Sequence, residues 1–165
     1  MLDQLMKLVE QHAGDAIVKN PAIPNEHNNA AIKDVASQIF SGLQSQAKGG
    51  NLQNIVSMFQ GGGGSNMTSN PIVSGLIASV AGSVASKFGV SQQVAQSMAT
   101  SLLPTVMNSL VKKTNDPKDS SFDLGSILKA TSGNNGLDVG SLIGQVAGGS
   151  KGGLGGLLGG LFGKK

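Results

Sequence analysis

Two histidines lie close in sequence to carboxylates, His12 to Asp15 and His27 to Glu26. If the first two chain segments pack together, these four side chains would converge. Imidazole beside carboxylate is the chemistry of a metal site or a general base. Their spacing matches no metal motif, such as two histidines one helical turn apart around a glutamate. The reading is therefore of exposed histidines beside turns. Gly-Gly-Ser-Lys-Gly at 148–152 fits the Gly-x-Ser-x-Gly pattern, with Ser150 in the place of a nucleophile. A nucleophile elbow follows a strand, and its histidine comes later in the chain. No strand pattern precedes Ser150, and both histidines are N-terminal. Lys151 among glycines lacks the Gly-Lys-Ser/Thr order of a phosphate-binding loop. Asn66-Met67-Thr68 is a glycosylation sequon, which has meaning only in a secreted protein. No catalytic, cofactor-binding or metal-ligating residue is assigned. No cofactor and no small-molecule substrate are expected, and the expectation is that the protein is not an enzyme.

Composition narrows the field further. The 165 residues include no Cys, so no disulfide or thiolate metal site can form. All twelve cations are Lys, which excludes bidentate guanidinium contacts to phosphate or guanine. Net charge is +3, a mild basic bias from lysines scattered singly. Only Lys112–Lys113 and Lys164–Lys165 are adjacent, and each pair ends a segment, where it complements a helix dipole or solubilises a chain end. The N-terminal segment carries Asp3, Lys7 and Glu10, which interrupt any signal-peptide core, so cytoplasmic residence is the expectation. The apolar stretch from Pro71 to Ala85 falls short of the roughly 20 residues needed to span a bilayer.

The elements that would position these residues are helices. Leu2, Leu5, Met6, Leu8 and Val9 share one helical face. This helix is expected to end near Gly14. Asn-Pro-Ala-Ile-Pro-Asn at 20–25 reads as a turn, and Asn25 as the cap of a second helix reaching about Lys48. Gly49–Gly50 stop it, and Asn51 caps a short third helix through Phe59. Asn70 before Pro71 is a helix start, with cap and first-turn proline adjacent. That helix carries Val73, Leu76, Ile77, Val80, Val84 and Phe88, and Gly89 ends it. Ser91 caps the next, which Pro104 kinks or restarts before Met107, Leu110 and Val111.

Beyond Lys113 the chain turns repetitive. Asp-Leu-Gly-Ser-Ile-Leu starts at Asp123, Asp-Val-Gly-Ser-Leu-Ile at Asp138 and Gly-Leu-Gly-Gly-Leu-Leu at Gly153, fifteen residues apart each time. Each copy offers a few helical turns. Thirteen of the 25 glycines fall in 133–163, so these helices are expected to form only when docked. The other informative pattern is Gly75, Ser79, Gly82 and Ser86. These small residues recur at three- and four-residue spacing, across from the Leu/Val stripe of the same helix. Rows of small residues let helix backbones approach closely. The partner would be a neighbouring helix of the same molecule or of another one.

Residues 89–113, GVSQQVAQSMATSLLPTVMNSLVKK, resemble the YidB-like family of uncharacterised bacterial proteins, a domain of unknown function. Gly89, Ser91, Leu102–Leu103–Pro104 and Lys112–Lys113 carry the resemblance in order, and the ending LGGLLGGLFGKK is similar to family tails. The likeness covers roughly 50–165 and is clearest over 70–113. It implies an all-helical fold and, through a homeodomain-like helix arrangement, DNA binding. It implies no activity, cofactor or catalytic residue. A homeodomain-like reader places Arg, Lys and Asn on its recognition helix, whereas residues 92–111 contain no charge.

The expected protein is all-α, a small multi-helix domain with a Gly-rich helical C-terminal tail. Its parts are N-terminal helices over 1–60, a linker over 61–70, and a helical hairpin over 71–113 that packs with 1–60. A polar linker over 114–122 and the repeat tail over 123–165 follow. The functional expectation is helix association, with itself or another protein, through Gly75, Ser79, Gly82 and Ser86. DNA binding is the alternative, with weak phosphate contacts from Lys112, Lys113, Lys164 and Lys165. Association with a membrane surface ranks third.

Overall fold

The computed structural model describes residues 1–61 and 67–132, and all the regular structure among them is helical. α1 spans Leu2–Ala13 and continues as a π-helical turn, Gly14–Val18. α2 spans Asn28–Gln46, α3 Leu52–Gln60, α4 Pro71–Phe88, α5 Gln92–Thr114 and α6 Leu124–Ser132.

Local chemistry sets the boundaries. Asn70 Oδ1 accepts a hydrogen bond from Ile72 N at 2.9 Å, and Pro71 fills the first turn of α4. Ser91 Oγ accepts from Val94 N at 3.3 Å to open α5. Between them Gly89 has φ 65°, a left-handed conformation that lets the chain reverse without a Cβ penalty. Gly50 does the same at φ 87° between α2 and α3. Two expected caps are not made. Asn51 caps no backbone N–H of α3, and its Oδ1 accepts instead from the Asn54 side chain at 3.5 Å. Asn25 Oδ1 instead accepts from the Asn28 side chain, and a 3-10 turn over Asn25–His27 leads into α2. α5 runs through Pro104 as one element.

α4 packs on both α5 and α2, α2 on α1, and α1 on α5, closing a ring of four helices around the apolar stripes. Val9, Val35, Ile39, Val80, Leu103 and Met107 are fully buried within it. At Gly42 a Cβ would lie 2.1 Å from Leu76 Cδ2, so α2 and α4 meet where a side chain is missing.

The boundary expected after Lys113 falls inside a longer compact unit. The compact unit runs from Met1 to Gly133. Residues 114–122 are tied down rather than a plain linker. Asp119 Oδ1 accepts from Ser121 N at 3.0 Å, Lys113 Nζ donates to Asp119 Oδ2 at 3.0 Å, and Phe122 is buried. α6 then packs against α2, α3 and the turn between them, and buries Ile127 and Leu128 completely. The apolar pair was visible in the sequence, but the surrounding glycines and polar residues hid that the core needs it. The remainder of the expected helical tail, from 133 onward, lies outside the described residues, as do Asn66, Ser150, Lys151, Lys164 and Lys165.

Candidate functional site

α4 offers its Ile72, Val73, Leu76, Val80 and Val84 face to the core and leaves the opposite face open. Gly75, Ser79 and Ser86 are exposed and Gly82 is half-buried. A Cβ added at Gly75 or Gly82 meets nothing within 4 Å. Among the described residues, no other helix packs on the stripe at Gly75 or Gly82. The only charged residue in α4 is Lys87, in its last turn. Ser83, on another side of α4, does take part in packing within the molecule. Its Oγ donates to Asp34 Oδ2 at 2.7 Å and accepts from Gln38 Nε2 at 3.2 Å.

Asp34 is the one buried carboxylate among the described residues, 6% exposed. Lys87 donates to its other oxygen, so the charge is paired and hydrogen-bonded as burial demands. Asp34 follows Ala31 and Ile32 on the buried side of α2, one turn before Gln38. A carboxylate inside an apolar stripe was the available signal, and the sequence reading passed over it.

A groove of about 840 Å³ opens between the end of α1, its π-helical turn and the first half of α5. Gln11, His12, Asp15, Asn20, Ser97 and Ser101 are among its lining residues. His12 Nε2 lies 2.8 Å from Ser109 Oγ, a contact that the sequence reading missed because 97 residues separate the partners. A hydroxyl beside an imidazole is the start of a nucleophilic site. Here the hydroxyl sits inside α5, where neighbouring N–H groups are spent on helical bonds and do not converge on a developing oxyanion. The pair therefore ties α1 to α5. Asp15 faces Lys19 at 2.8 Å, which holds its carboxyl below the usual range and raises Lys19.

Glu26 and His27 stand elsewhere, 3.6 Å apart before α2, with the His27 ring tilted against Phe88 at 6.0 Å. His12 and Asp15 therefore stand apart from Glu26 and His27, and the four residues do not converge. Among the described residues no three His, Asp or Glu side chains are placed to hold a metal ion.

Lys19, Lys87 and Lys113 are each paired with a carboxylate. Lys112 is exposed beside a hollow of about 290 Å³ lined by Met67, Thr68, Pro104 and Asn108. Asn108 Oδ1 is buried there without a partner among the described residues.

The helical frame with Leu102–Leu103–Pro104 inside α5 invites comparison with known families. A family model described as "Bacterial protein of unknown function (DUF937)" matches residues 25–83 and residues 70–165. The chain belongs to this family. The DUF937 matches take in α2 to α6 and leave α1 outside. They include the open face of α4, whereas His12 and Asp15 of the groove fall beyond them. No curated protein and no solved structure matches the chain.

Proposed function

We propose that this DUF937 protein works by helix association, with the outer face of α4 as the contact surface and a second copy of the chain as the partner. The observation that carries the reading is the open space over Gly75 and Gly82. Two interior glycines cost a helix roughly 1–2 kcal/mol relative to alanine. Nothing among the described residues uses the room they leave. Close approach of another backbone would use it, with Ser79 and Ser86 adding hydroxyls small enough not to obstruct the contact. α4 also has the composition for such a surface, with a mean hydropathy of 1.3 over its 18 residues. It is the one helix among the described residues long and apolar enough by that measure to cross a membrane, and 39% of it is buried inside the fold.

Nucleic-acid binding ranks lower on this reading. Phosphate contact needs free cations on one face, and of the candidate contacts Lys113 is already engaged with a carboxylate, as are Lys19 and Lys87 elsewhere. The outer side of α5 presents Gln93, Gln96, Ser97, Thr100 and Ser101 without a charge. Among the described residues, catalysis finds no cluster of three His, Asp or Glu side chains to build on. Light scattering together with a thermal melt on Gly75→Leu with Gly82→Leu tests the proposal. The expected result is a smaller particle that remains helical and melts cooperatively. A folded variant of unchanged mass would make the stripe a solvent-facing surface only. Binding of duplex DNA that survives physiological salt would promote the alternative.

A further inference from the structure

The two halves of the compact unit repeat one another. Ala13, Gly14 and Lys19 recur with the same spacing as Ala81, Gly82 and Lys87. Ala31, Ser37, Ser45 and Lys48 recur as Ala95, Ser101, Ser109 and Lys112, and Leu52 and Ile55 of α3 as Leu124 and Ile127 of α6. The contacts obey the same exchange. α4 packs on α2 as α1 packs on α5, and α6 packs on α2 as α3 packs on α5. α1–α2–α3 and α4–α5–α6 are therefore equivalent triplets, and the fold holds two equivalent clefts, one between α2 and α4, the other between α5 and α1.

The two clefts are not filled alike. In the first, Leu76 sits over Gly42, and Ser83 and Lys87 of α4 close on Asp34 and Gln38. In the second, Val106 and Leu8 hold the places of Gly42 and Leu76. A valine where the first cleft has only a hydrogen keeps these helices from meeting as closely. Met98 and Leu102, both buried, hold the places of Asp34 and Gln38. Asp15 and Lys19 hold those of Ser83 and Lys87, but with no polar group opposite they pair with each other instead. The space left over is the groove of about 840 Å³, and nothing among the described residues occupies it.

We propose that this open cleft binds an uncharged, extended segment of another protein. Asp15 is the only Asp, Glu or Lys in the lining, and Lys19 already neutralises it. A charged ligand would meet Met98 and Leu102 where the closed cleft offers a carboxylate and an amide. The rim carries Gln11, Gln93, Ser97 and Ser101, all exposed. Amide and hydroxyl side chains both donate and accept, as the alternating N–H and C=O groups of a peptide backbone require. From Gln93 to Thr105 the lining covers ~18 Å of α5, the length of about five or six extended residues. Alternate side chains of such a segment point the same way, so every second one faces the apolar floor, where the flexible thioether of Met98 adapts to its shape.

The test uses the full chain carrying ¹³C-methyl methionine, titrated with capped hexapeptides that alternate Ser with Ala, Val, Leu, Met or Phe. At least one series should shift the Met98 methyl saturably and leave those of Met58 and Met107 in place. Glu at the apolar positions should weaken binding about tenfold or more, because it sets a carboxylate on an apolar floor. Ser101→Phe, which fills the groove from an exposed position, should abolish the shift without changing the thermal melt, whereas Thr100→Phe, exposed outside the lining, should not. Ser97→Phe serves as the block if Ser101→Phe alters the melt. The proposal is overturned if no peptide moves Met98, if the Glu series binds as well, if the folded blocked variant binds like the parent, or if the neutral polyol cellohexaose moves Met98 at lower concentration than any peptide.

Discussion

Three glycines lie inside the long helices, Gly42 in α2 and Gly75 and Gly82 in α4, and alanine should act on them with opposite signs. At Gly75 and Gly82 the new methyl meets nothing within 4 Å. Only the helix propensity changes there, so each substitution should stabilise the fold by ~0.5–1 kcal/mol. At Gly42 the same methyl would lie 2.1 Å from Leu76 Cδ2. Leu76 is 2% exposed, so its branch cannot turn aside without disturbing its neighbours. Overpacking of this kind costs about 1–3 kcal/mol, which outweighs the propensity gain. The net expectation is a loss of roughly 0.5–2 kcal/mol. Urea denaturation followed by circular dichroism, on dilute protein, resolves such differences in midpoint. Gly42→Ala as stable as Gly75→Ala would refute the close approach of α2 and α4. A loss at Gly75 or Gly82 would mean that the outer face of α4 is covered within the molecule.

The remaining predictions concern the polar ties and the C-terminal boundary. Lys87→Gln should destabilise by about 1–3 kcal/mol because it leaves the Asp34 carboxylate buried without its cation, and Asp34→Asn should recover part of that loss in a double-mutant cycle. Lys113 and Ser121 hold the Asp119 carboxyl below its ordinary 3.8. A depressed folded-state value adds stability above that range, and it is lost as pH falls through the lowered value. Acid titration of Asp119→Asn should therefore show a shallower fall than the parent below about pH 4. Ending the chain at Lys113 removes the buried apolar side chains of Phe122, Ile127 and Leu128, at roughly 1.5–3 kcal/mol each. That approaches the whole stability of a domain of this size, so the truncated chain should melt without a cooperative transition, whereas one ending at Gly133 should retain it.

The helices were legible because Leu2 to Val9, Ala31 to Leu43 and Val73 to Val84 keep the apolar period of a helix with one covered face. Caps were legible where two signals coincided, as at Asn70–Pro71 and Gly89–Ser91, and misread where a lone Asn was the only sign, as at Asn25 and Asn51. What covers a face is a tertiary fact that periodicity does not carry. That is why Gly42 gave no hint of a close approach and Ser109 no hint of His12. Asp34 broke an apolar stripe, a visible signal whose partners on α4 lay 49 and 53 residues away. α6 was assigned to the tail because glycine content argued for a weak helix, yet Ile127 and Leu128 are held by the core rather than by propensity. The small residues of α4 were found in sequence, and their exposure was settled only once α2 and α5 were seen to occupy the other sides.

The central claim is that two copies meet across the outer face of α4. The chain has no cysteine, so a single Ser79→Cys substitution reports that contact directly. Bridging needs the two Cα atoms within roughly 4.4–6.8 Å, a separation that small residues at a helix crossing permit. Mild oxidation should yield a covalent dimer from Ser79→Cys at rates well above those of Gln53→Cys, an exposed control on α3. Equal, slow cross-linking at both positions would contradict the account.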